Sequence, residues 1–149
     1  MAIRPPIEFG CITDTLGARP IRPAWILEGQ PMARSRTLFT SADGTASMLV
    51  WECTAGRFNW FYAIDESVYV VEGSVQLKDS TGNCRLVTAG DTVFFPAGSH
   101  AEWTVEKYVK KVAFLRSTVP AHVVVGIRVF RRLWRLLSGS RNESAPMFG

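Results

Sequence analysis

The residues of this chain that could do chemistry gather around one stretch, Gly56 to Gly73. Within it Trp60 and Tyr62 stand two apart, which puts both on one face of a strand, because strand side chains alternate. Glu66 follows, at the head of the β-branched and aromatic run Ser67-Val68-Tyr69-Val70-Val71. A carboxylate set among aromatic rings can give or take a proton, so Glu66 and Tyr62 are the candidate catalytic pair. Trp60, Tyr62, Glu66, Trp103 and Lys111 are the candidate ligand-binding set, since small-molecule pockets combine aromatic walls with a few polar groups. The same residues admit a structural role. Glu66 would then hydrogen-bond a neighbouring strand or an inward lysine such as Lys111, while the rings fill a core. Cys53 has no legible base beside it and reads as a buried structural thiol. A metal site has little to work with: Glu66 and His100 are the available pair, a poor set for a transition metal.

Short strands separated by turn residues are expected to position these groups. Residues 33–40 and 47–53 read as two strands around the Ser41-Ala42-Asp43-Gly44 turn. Thr54-Ala55-Gly56 is expected to turn the chain into the Trp60 strand, and residues 63–65 to turn it again. Residues 74–79 and 84–88 form a hairpin, and 92–95, 101–105 and 109–115 complete the series. This series without an intervening helix predicts an antiparallel sandwich or small barrel. Residues 1–32, rich in proline and glycine, read as an N-terminal arm pinned by Trp25-Ile26-Leu27. The barrel is expected over 33–116, and a basic amphipathic helix with a disordered tail over 117–149.

A length of 149 residues with 47% apolar content suits one domain with a buried core. The net charge of +4 belongs to the end of the chain: residues 1–116 balance twelve basic against twelve acidic residues, whereas 117–149 hold five arginines against Glu143. A neutral core argues against nucleic-acid binding. The start of the chain lacks a charged-then-apolar leader pattern, and the three widely spaced cysteines, Cys11, Cys53 and Cys84, suit free thiols. A cytoplasmic protein is expected.

From Val123 the period changes. Val123, Ile127, Phe130, Trp134 and Leu137 recur at helical spacing, with Arg128, Arg131, Arg132 and Arg135 opposite them. The preferred destination of this helix is packing on the barrel or across a dimer interface. An anionic membrane surface, met through residues 120–137, is the alternative. Four arginines in eight residues exclude a membrane span.

Two segments resemble the motifs of the cupin superfamily. Glu66 and Gly73 fit the Glu-x6-Gly end of its first motif, Gly-x5-His-x-His-x3–4-Glu-x6-Gly. Gly90, Pro96 and Gly98 fit the Gly-x5-Pro-x-Gly of its second. With Trp51-Glu52-Cys53-Thr54-Ala55-Gly56, Val71-Glu72-Gly73-Ser74-Val75 and Phe95-Pro96-Ala97-Gly98, residues 24–116 resemble the small single-domain subgroup related to the cupin domain of (S)-ureidoglycine aminohydrolase. The resemblance implies an all-β fold, a double-stranded β-helix or jelly-roll barrel, and a homodimer joined through edge strands. Metal-binding cupins hold Mn, Fe, Ni or Zn with two histidines and the glutamate of the first motif and a histidine of the second. Here those histidine positions carry Trp60, Tyr62 and Ala101, with His100 one residue off. The reading that follows is a cupin that binds an as yet unidentified small molecule in an aromatic-lined barrel, without the histidine-based metal. The alternative is a metal-dependent enzyme on a ureido or amino-acid-type substrate, with Glu66 as ligand or base.

Overall fold

The computed structural model describes residues 6–137. In chain order the strands are β1 (Gly17–Ala18), β2 (Ile26–Glu28), β3 (Ala33–Thr40), β4 (Ala46–Phe61), β5 (Asp65–Asp79), β6 (Cys84–Thr88), β7 (Thr92–Phe95) and β8 (His100–Arg116). The helix α1 (Ala121–Leu137) follows. The tail at 138–149, expected to be disordered, lies outside the described residues.

Three strands are far longer than the turn signals suggest. β4, β5 and β8 run for 16, 15 and 17 residues, and β8 lies between the other two along its whole length. The turn expected at 54–56 is instead a β-bulge inside β4, where the register against β8 slips between Thr54 and Gly56. Likewise 101–105 and 109–115 are two halves of one strand, and 74–79 continues β5 without a break. The physical reason is that a bulge and a turn call for the same residues, and long-range pairing with β8 decides between them.

The slip between Gly73 and Gln76 of β5 falls at the same level of β8 as the slip in β4. The three strands therefore bend together, and one sheet folds over on itself. One half holds β3 and β7 with Ser47–Cys53, Glu66–Tyr69 and Val109–Leu115. The other holds β2 and β6 with the remaining halves of β4, β5 and β8. All pairings are antiparallel, and the fold is an all-β jelly-roll barrel. The core lies between the halves: Cys53, Val70 and Val109 from one join Phe58, Val75 and Val105 from the other in one buried cluster. Of the N-terminal residues, Ile21 is buried, β2 pairs with β4, and Thr54 Oγ1 accepts a hydrogen bond from the Met32 N–H at 2.8 Å.

α1 belongs to a second compact unit that begins at Val119. Among the described residues no helix is long and apolar enough to cross a membrane.

Gly73 is the tightest point of the bend. Its φ is +75°, and a Cβ there would run into the carbonyl oxygen of Tyr108, where β8 crosses closest. Gly82 has a similar φ of +89° but open space around it. Gly82→Ala is expected to cost about 1 kcal/mol, the strain of a left-handed residue, whereas Gly73→Ala should cost at least about 3 kcal/mol because backbone must also move. Urea unfolding of the two variants measures the difference, and equal losses would mean that the bend tolerates a side chain at Gly73.

Candidate functional site

Lys111 and Glu66 meet inside the barrel. Lys111 sits opposite Val70 in the β5–β8 register, and Glu66 is four residues before Val70 on the same inward face. The flexible stem of the lysine spans that diagonal. Its Nζ donates to Glu66 Oε1 at 2.6 Å, with both residues buried, at 5% and 8% exposure. The ammonium lies 4.7 Å from the ring centre of Trp103 and 5.1 Å from that of Trp51. Two ring faces thus replace part of the hydration the charge has lost. A buried ion pair holds only with such geometry, because taking either charge out of water costs several kcal/mol.

Around this pair the aromatic side chains form one cluster. Trp51 and Trp103, opposed across the barrel, meet edge to face at 5.7 Å, and Phe58 stacks on Trp103 at 6.0 Å. Trp60, half-buried, meets Trp51 at 6.0 Å and Trp25 at 5.5 Å. Tyr62 stacks on Phe95 at 4.2 Å, and its hydroxyl accepts a hydrogen bond from Trp103 Nε1 at 3.0 Å. Burial pushes the Tyr62 phenol well above its ordinary value, the Glu66 charge adds to this, and the Trp103 N–H acts the other way. Tyr62 is therefore a neutral phenol at physiological pH. It can offer a hydrogen bond but does not serve there as a base.

The five ligand-binding candidates, Trp60, Tyr62, Glu66, Trp103 and Lys111, thus fall into one cluster. His100 is not part of it: it is exposed at the start of β8 and stacks on Phe61 at 5.5 Å. Sequence reasoning did not mark Trp51 or Phe95 as site residues. Trp51 shares the inward face of β4 with Cys53, and that alternation was the available signal. The Trp51 indole N–H is buried without a hydrogen-bond partner among the described residues. Cys53 is buried, donates to its neighbour's carbonyl, Thr54 O, at 3.3 Å, and has its thiol pushed up to about 12 by burial, against a smaller opposite pull from Lys111. It stays protonated and is no nucleophile.

A divalent metal does not fit these residues. The ligand positions implied by the resemblance carry an indole, a phenol and the methyl of Ala101, and Glu66 already holds the Lys111 ammonium. Among the described residues no three histidine, cysteine or carboxylate side chains come together around a point where an ion could bind.

A cleft of about 580 Å³ opens on the other side of Phe95. Its floor is apolar, from Leu77, Val87, Val93, Phe95 and Ala101, and Arg85 and His100 stand on its rim. Two further rim residues, Asp79 and Asp91, are committed to turns. Asp79 accepts hydrogen bonds from Thr81 and Asn83, which hold its carboxyl below the usual range, and Asp91 accepts from Thr88. Phe95 therefore has two faces in use, one on the cleft and one on Tyr62.

The family model for the EutQ-like cupin domain matches residues 40–113. A search of curated proteins returned no match. Among solved structures, a DUF861-family protein of unknown function from Pseudomonas syringae pv. tomato is 29% identical, with a TM-score of 0.65, over 70% of this chain and 46% of that one. This chain therefore spans under half of that protein. The polyketide cyclase RemF from Streptomyces resistomycificus is 20% identical, with a TM-score of 0.57, over 76% of this chain and 82% of that one. The Clostridium difficile EutQ protein is 22% identical, with a TM-score of 0.53, over 58% of this chain and 69% of that one. The likeness to these last two is one of fold.

The ion pair generates a testable expectation. Lys111→Met or Glu66→Leu alone leaves one buried charge without its partner and should cost about 3–5 kcal/mol in urea unfolding, while the double variant recovers most of that loss. Additive losses in the double variant would show that the two charges do not depend on each other.

Proposed function

We propose a function from one premise: the chain belongs to the cupin superfamily. It binds a small organic molecule at the end of its barrel, in the cleft bounded by Phe95 and Ala101, and works without a metal ion. The observation that carries this reading is the cleft itself. Its volume of about 580 Å³ suits a compact ligand, and an apolar floor beneath a sparse polar rim is the usual build of such a site. Phe95 makes the cleft continuous with the aromatic cluster. Behind that ring stand Tyr62, Trp103 and the Lys111–Glu66 pair.

Charge narrows the ligand class. Asp79 and Asp91 accept hydrogen bonds from their own turns, and Arg85 is the cation beside them on the rim that can pair with an anionic ligand. A flat apolar molecule ending in a carboxylate matches an apolar floor with one guanidinium above it.

A second reading is favoured by one observation, that Glu66 and Gly73 hold their places in the first motif. It is a metal-dependent enzyme on a ureido or amino-acid-type substrate, similar to ureidoglycine aminohydrolase. It requires Lys111 to leave Glu66, and the buried 2.6 Å contact opposes that.

The test uses 1-naphthoate, a flat aromatic carboxylate, titrated into isotope-labelled protein and followed by amide NMR. Saturable shifts confined to Val87, Val93, Phe95 and Ala101 are expected. Arg85→Glu, an exposed change, should weaken binding roughly tenfold. Shifts elsewhere, or none, would overturn the cleft as the site.

A further inference from the structure

We propose that α1 docks the protein on a lipid surface rich in anionic headgroups. At 3.6 residues per turn, Arg128, Arg131, Arg132 and Arg135 fall within an arc of roughly 100°. Val123, Val125, Ile127, Val129, Phe130 and Leu133 spread over roughly 200° of the remainder. These apolar side chains are exposed, and Phe130 and Trp134, each at 63%, lie with ring centres 6.0 Å apart. The helix contains no Asp or Glu, so it supplies nothing of its own to neutralise four guanidinium groups.

These features choose among the partners a helix of this kind could have. A partner helix covers a narrow apolar seam, so an apolar arc twice the width of the polar one exceeds what one neighbour buries. A nucleic acid would satisfy the arginines and leave the apolar arc in water. Crossing a bilayer is excluded by the same four charges. A helix lying in the interface plane satisfies both faces. Its rings and aliphatic side chains enter the acyl boundary, and the guanidinium groups pair with phosphates and serine carboxylates at headgroup level. The basic excess of the whole chain sits in this region, whereas the rest is neutral. The attraction is therefore local to the element that inserts.

Vesicle flotation of the full chain tests this. The protein should float with phosphatidylcholine vesicles containing about 30 mol% phosphatidylserine and stay behind with phosphatidylcholine alone. Reversing Arg131 and Arg132 together to glutamate should lower the bound fraction at least roughly tenfold. Phe130→Asp should abolish binding, and the thermal transition of the barrel should stay at its wild-type temperature in both variants, which separates lost docking from unfolding. Three results would overturn the proposal: no flotation of the wild type, equal flotation with both vesicle compositions, or a wild-type dimer in light scattering that Phe130→Asp converts to monomer. The last would give the apolar arc to a second copy of the chain.

Discussion

A carboxylate buried in a barrel needs a cation, and here the cation is part of the chain. Lys111 Nζ sits 2.6 Å from Glu66 Oε1, roofed by the faces of Trp51 and Trp103. Neither charge is affordable alone at this depth. The contact also depends on backbone arithmetic. Lys111 reaches Glu66 across a diagonal that exists only because β8 and β5 keep an unbroken register from Asp65 opposite Arg116 to Val70 opposite Lys111. A one-residue slip would turn one of the two charges to the outer face. The strand pairing and the ion pair are thus one constraint expressed at two scales.

That constraint shapes what the barrel can do. The positions that the cupin motifs give to metal-binding histidines carry Trp60, Tyr62 and Ala101 here, with Trp60 against Trp51 and Tyr62 against Phe95. Tyr62 is fixed by Phe95 on one side and by the Trp103 N–H on the other, and it remains a neutral phenol. Chemistry that needs a base or a nucleophile finds neither in Tyr62 nor in Cys53. A cleft lies beside Phe95, with an apolar floor and with Arg85, Asp79 and Asp91 around it. Binding is the function that such an arrangement favours.

Much of the fold was legible because strand alternation and the two glycine-containing motifs are local signals. Glu66 and Lys111 were legible for the same reason: charged residues on inward faces of apolar strands stand out. The boundaries inside β4, β5 and β8 were not legible. Gly56 and Gly73 look like turn residues, and they become bulge residues only through Pro31 and Tyr108, which approach from distant parts of the chain. Trp51 was read as one more strand residue, since its role comes from Lys111 sixty positions later. The cleft was invisible for a related reason. Its floor is assembled from four strands, and no short stretch contains it.

Whether Glu66 serves Lys111 or a metal ion is tested most directly by elemental analysis of the purified protein combined with calorimetric titration of zinc. The account predicts substoichiometric Mn, Fe, Ni and Zn, and no saturable zinc binding that depends on Glu66. One tightly bound metal per chain, lost in Glu66→Ala, would contradict it.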